Sequence, residues 1–251
     1  LVLFVCFYVA TLLVLRSITS ALPQCLALVC VVVATTLTIL FWEHGDWPLG
    51  LFVSPRLAAR EALLGAALGF ALIAGCALCI VATTGVRHVR GAGFPWPELL
   101  TVFIPAALHE ELLFRGYVFQ KLLRWNRLVA LLGFAVIFAA LHAGNTAVTL
   151  LGLGNIFLGG LLLGLAYERY ARLWFPIGLH LAWNLTSGPI LGHEVSGYVS
   201  ARTFLIERGT GPLWLTGGEF GIEGSAWTTL TEVVAILLLL RMIRKKEPLN
   251  Q

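Results

Sequence analysis

The chain is written in long apolar runs, separated by short polar breaks that carry glycine or proline. A bilayer core takes a helix of about 20 apolar residues. Eight runs are candidates: Leu1–Leu15, Gln24–Trp42, Glu61–Thr84, Pro97–Leu123, Leu128–Ala143, Ala147–Tyr167, Leu173–Leu191 and Trp227–Ile243. The breaks fall at Pro23, the turn Asp46-Trp47-Pro48, the run from Gly91 to Pro95, and Gly144-Asn145. Leu1–Leu15 has no basic leader and no A-x-A site after it, so it reads as part of a membrane helix rather than a signal peptide. The pattern predicts an all-α fold, a polytopic transmembrane bundle of about eight membrane helices. No heptad, internal repeat or low-complexity segment interrupts it.

Composition agrees with that pattern. The chain is 59% hydrophobic and 12% charged, with a mean hydropathy of +0.89. A soluble domain carries about 25% charged residues. The net charge of +4 does not point to nucleic acid, because excess Lys and Arg are what cytoplasmic membrane loops carry. With both termini on one side, that side collects Arg56, Arg60, Arg115, Lys121, Arg124, Arg127, Arg169, Arg172, Arg241, Arg244, Lys245 and Lys246. The other side has Arg16, Arg87, Arg90, Arg202 and Arg208. Twelve against five, of the 17 in the chain, places both termini in the cytoplasm and the connection 192–226 outside. Trp42, Trp47, Trp96 and Trp174 near helix ends fit an interfacial belt. Cys76-x-x-Cys79 has redox spacing but no second pair, so buried small hydrophobes are the better reading of these thiols.

Few polar residues lie deep in the predicted helices: His109, Glu110, Glu111, Arg115, His142, His180 and Asn184. A charge at membrane depth costs about 2.5–3.5 kcal/mol on insertion scales, so adjacent glutamates there should have a use. Glu111 and Arg115, at i and i+4, share a helix face, whereas Glu110 lies about 140° around from Arg115. Arg115 therefore neutralises Glu111 and leaves Glu110 as the reactive carboxylate, the candidate general base. His180 and Asn184 repeat the i, i+4 spacing, and so do Phe138 and His142. A carboxylate, two imidazoles and an amide from three helices suit peptide hydrolysis in a dry site. Alternatively, Glu110, His142 and His180 ligate a divalent metal such as zinc. His109 precedes Glu110 as in H-E-x-x-H, but position 113 is Leu, which leaves His109 a supporting role. His44, His88 and His193 fall in loops and are expected to be solvated.

These residues carry a family resemblance. The sequence is similar to the CPBP family of intramembrane proteases, which includes the type II CAAX prenyl endopeptidases and bacterial bacteriocin-processing or self-immunity proteins. The family signatures E-E-x-x-x-R, F-x-x-x-H and H-x-x-x-N/D read here as Glu110 to Arg115, Phe138 to His142 and His180 to Asn184. The flanks F-R-G-Y-V-F-Q and T-G-G-E-F-G-I-E-G-S also look like bacterial members, and the match runs from about Glu98 to Leu240. The resemblance implies N-terminal helices without motifs (1–96) and a CPBP-type catalytic membrane core (97–251). It implies an endopeptidase acting on a membrane-associated protein or peptide in a bacterial plasma membrane. Glu110 would activate water with help from His142, and His180 with Asn184 would stabilise the oxyanion. The family has been described both as glutamate-dependent and as metalloproteases. Bacteria generally lack prenylated proteins, so a CAAX substrate is not implied. Two other readings compete: a non-catalytic binding or self-immunity member of the family, and a proton relay or transporter, which matched half-repeats would mark.

Overall fold

A computed structural model describes residues 1–18, 22–44 and 49–244. Among them are nine helices of nine residues or more. They are α1 (Val2–Ile18), α2 (Pro23–Trp42), α3 (Pro55–Thr83), α4 (Ile104–Arg115), α5 (Tyr117–Trp125), α6 (Arg127–His142), α7 (Leu150–Tyr170), α8 (Trp174–Leu185) and α9 (Ala226–Arg244). Four are long and apolar enough to cross a membrane, namely α2, α3, α7 and α9, while α1 and α6 are shorter apolar helices. Leu63, Phe70, Leu78, Leu128, Leu132 and Val136 are exposed on outer faces, as expected where the surrounding solvent is lipid. The protein is an integral membrane protein of all-α architecture. The predicted turn at Asp46-Trp47-Pro48 lies outside the described residues.

The expected count of eight becomes nine because the run Pro97–Leu123 is not one helix. It opens with a π-turn at Leu99–Phe103, where Pro105 lacks an N–H and the Ile104 N–H reaches back to Leu99 O. It then breaks at Gly116, where a Cβ would stand 2.0 Å from Leu112 O, so only glycine allows the chain to turn there. Gln120 Nε2 takes up the Arg115 carbonyl freed by the break, at 3.0 Å, and also donates to Leu49 O at 3.3 Å. A second π-turn, Thr186–Ile190, follows α8 for the same reason: Pro189 cannot donate, and the Leu191 N–H reaches Thr186 O at 3.0 Å. The third helix also starts earlier than expected, at Pro55 behind Ser54, whose hydroxyl caps the Leu57 N–H. Glu61 then falls inside the helix rather than at its start; it is buried and pairs with Arg172 in the turn before α8.

The helix carrying His180 is fixed by a close crossing with α3. A Cβ on Gly178 would stand 2.0 Å from Ala62 O, and one on Gly65 would stand 2.0 Å from Phe175 O. Gly65 and Gly69 form the small-xxx-small spacing that lets membrane helices touch backbone to backbone. Gly178→Ala is therefore expected to force α3 and α8 apart, costing about 1–3 kcal/mol. Thermal unfolding of the detergent-solubilised protein should show a lowered midpoint, and an unchanged midpoint would contradict this packing.

The connection 192–226 is more ordered than an irregular loop. Arg87–Arg90 (β1) pairs antiparallel with Leu205–Arg208 (β2), placing His88 opposite Glu207. The expectation that His88 and His193 are solvated is corrected here. His193 is 2% exposed, its Nδ1 lies 2.7 Å from Glu207 and its Nε2 lies 3.1 Å from His88 Nε2. Burial, and after it the neighbouring His193, holds the His88 imidazole below its ordinary value against the pull of Glu207.

Candidate active site

The three motif-bearing helices α4, α6 and α8 border one cavity of about 520 Å³. Glu110, Phe138, His142, His180 and Asn184 all line it. Helix α4 presents the tandem glutamates on different faces. Glu111 is fully buried, and its Oε1 accepts from Arg115 at 3.0 Å. Arg115 is 1% exposed and donates also to Gly160 O at 2.8 Å, which ties α4 to α7. Its guanidinium lies 5.0 Å from the centroid of the Phe138 ring, and this gives the motif phenylalanine a cation–π contact.

Glu111 does more than neutralise an arginine. Its Oε1 also accepts from His180 Nδ1 at 2.8 Å, across 69 residues of sequence. An ionised carboxylate only accepts, so His180 Nδ1 carries a proton, and the Nε2 edge turns to the cavity. Glu110 Oε2 faces that edge at 3.8 Å, beyond hydrogen-bond range. Glu110 and Glu111 together outnumber Arg115 by one charge, and an imidazolium at His180 would balance the cluster.

His142 is held differently. Its Nδ1 lies 2.7 Å from Phe138 O. A carbonyl can only accept, so neutral His142 presents Nε2 as an acceptor. His142 Nε2 is thus placed to accept, whereas Nε2 of an imidazolium at His180 would donate, and the two imidazoles are not interchangeable. His109 does not join them. Its ring stacks on Tyr8 of α1 and its Nε2 lies 3.1 Å from the Tyr8 hydroxyl, away from the cavity lining. The expected supporting role becomes a contact between α1 and α4.

Sequence reasoning missed several polar residues here. Glu223 follows β2 and is 5% exposed. It accepts from Trp183 Nε1 at 3.0 Å and from the Ser196 N–H and hydroxyl at 2.6 Å each. The 192–226 connection thereby closes one side of the cavity, with Val195, Ser196 and Tyr198 in its wall. Asn155 on α7 and Glu232 on α9 line it too, both buried. Asn155 and Glu232 stand in apolar runs, so the same charge-at-depth criterion that marks Glu110 would have found them.

A metal reading asks for converging ligands. Among the described residues no three His, Cys, Asp or Glu side chains meet in a geometry that could hold an ion. Glu110, His142 and His180 share the cavity without forming such a set, and no step below runs through a metal.

Residues 92–186 match the family model described as Rce1-like, type II CAAX prenyl endopeptidase Rce1-like. This segment contains all three motifs. Over these residues, the chain is similar to that family. It is also similar to an uncharacterized 24.3 kDa protein of Escherichia coli, 38% identical over 86 residues, an alignment spanning 33% of this chain and 39% of that relative. No solved structure matches. The family is a protease family, which sets the class of chemistry to be sought in the cavity.

Proposed function

We propose that this protein is an intramembrane endopeptidase of the CPBP type that hydrolyses a peptide bond of a membrane-associated protein or peptide. One observation carries the reading. A carboxylate without a hydrogen-bond partner among the described residues, Glu110, faces the cavity beside the Nε2 edge of an imidazole locked through its other nitrogen.

The chemistry follows from those donors and acceptors. A water between Glu110 and His142 Nε2 loses its proton to the Glu110 carboxylate as its oxygen adds to the peptide carbonyl carbon. The carbonyl oxygen, now an oxyanion, accepts from His180 Nε2–H and the Asn184 amide. The C–N bond then breaks, and Glu110 passes its proton to the leaving amine. Proton count and charge close on Glu110, which returns to its carboxylate. Glu111 acts through His180, accepting from its Nδ1 and fixing its direction, so that the imidazolium presents Nε2–H to the oxyanion. The bulk of the substrate is lipid-embedded on this reading, and the family's bacterial flanks suit a plasma-membrane enzyme. The Lys and Arg distribution supports placing both termini in the cytoplasm.

The test is cleavage of single-span and amphipathic peptides by purified protein in lipid bicelles, with products mapped by mass spectrometry. Wild type is expected to cut, and His142→Ala and His180→Ala to lose at least about a hundredfold in rate. Chelator treatment with metal analysis of the active protein decides the route. Activity that survives chelation supports direct activation by Glu110. Loss that zinc restores would overturn it.

A further inference from the structure

One carboxyl group in the cavity is unused by this chemistry. Glu232 on α9 is 1% exposed, lines the cavity, and leaves its Oε2 without a hydrogen-bond partner among the described residues. Buried polar groups are nearly always satisfied, and a buried carboxyl is among the costliest to leave alone.

Its neighbours have nothing left to offer. Both oxygens of Glu223 are taken by Trp183 and Ser196. The Asn155 amide donates to Glu223 O at 2.7 Å and Ser225 O at 2.8 Å, and its oxygen receives the Thr229 hydroxyl at 2.6 Å. That wall is complete in itself. Across from Glu232 stands Gly159, where a Cβ would lie 3.1 Å from Oε1, so the absence of a side chain keeps the space before the carboxyl open. Glu110, Glu223 and Glu232 all line the cavity, while no Lys or Arg appears among its described lining residues. The field there favours a cation.

From this arrangement we infer that Glu232 is the recognition group of a subsite for a basic side chain, lysine or arginine, of the bound peptide. A guanidinium or ammonium would supply the missing donors and the opposite charge together. The inference rests on the proteolytic reading for its substrate, and its test separates the two.

Peptides of one apolar sequence carrying Lys, Arg, norleucine or Glu at successive positions are presented to wild type and to Glu232→Gln protein in bicelles. At one position wild type should favour Lys or Arg over norleucine by about tenfold or more in kcat/KM, and Glu232→Gln should bring that ratio near one. Gly159→Ala keeps the carboxyl but crowds it, and should lower the same ratio if Glu232→Gln fails to fold. The same peptides, fluorescently labelled, are also bound to Glu110→Gln protein and read by anisotropy, with and without Glu232→Gln. If wild type cleaves none of them, the proteolytic reading fails. A Lys preference in binding that disappears with Glu232→Gln would still support the subsite. An equal Lys-to-norleucine ratio in wild type, or one that Glu232→Gln leaves unchanged in both cleavage and binding, overturns it and leaves Glu232 a water-binding group.

Discussion

Glu110→Gln is expected to lose about a hundredfold to ten-thousandfold in cleavage rate while folding as wild type does. Both halves follow from its position. Glutamine keeps the shape and the cavity-facing placement but cannot take the proton of the attacking water. The nearest charged contact of Glu110 is His180 Nε2 at 3.8 Å, too far to count as a hydrogen bond. Removing the charge therefore breaks no hydrogen bond, and His180 keeps its bond to Glu111 at 2.8 Å. Cleavage kinetics and a thermal melt on the same preparation check the pair of outcomes. A variant that melts as wild type and still cleaves at an undiminished rate would remove Glu110 from the role of base.

Much of this site was legible in the sequence because helical spacing is local. The i, i+4 relations put Glu111 with Arg115, Phe138 with His142 and His180 with Asn184 before any tertiary contact was known. Apolar run lengths likewise gave most helices to within a few residues. What resisted reading is set by contacts between distant segments. Nothing in E-E-L-L-F-R says that Glu111 will be shared with His180, because that bond depends on how closely α8 crosses α3 and meets α4. The break at Gly116 hides in an unbroken-looking run, since its cause is the Leu112 carbonyl lying where a Cβ would be. His193 looks like a loop histidine, yet the pairing of β1 with β2 brings His88 and Glu207 around it. The unpartnered state of Glu232 depends on neighbours from α7 and the 192–226 connection, whose commitments no spacing reveals.

Glu111→Gln should fail in a different way. Glu111 Oε1 serves two buried donors, Arg115 at 3.0 Å and His180 Nδ1 at 2.8 Å. Breaking a buried ion pair by removing one partner costs about 3–5 kcal/mol, because the other charge is left uncompensated. Arg115 keeps its bond to Gly160 O and its contacts with the Phe114 and Phe138 rings, none of which carries a compensating charge. The carboxamide can still accept one of the two donors, so the loss should fall toward the lower end of that range and show as a depressed melting temperature and reduced yield. Activity should fall with it for a separate reason, since a neutral partner no longer fixes the His180 proton on Nδ1 or compensates an imidazolium. The two causes are separable. Adding Arg115→Met to Glu111→Gln removes the stranded guanidinium and should recover stability relative to the single variant. Cleavage should stay low, because His180 still lacks its carboxylate. A stable and active Glu111→Gln protein would refute the shared-acceptor arrangement. A double variant that regains activity along with its fold would reduce Glu111 to a counter-ion for Arg115 and leave His180 oriented by packing alone.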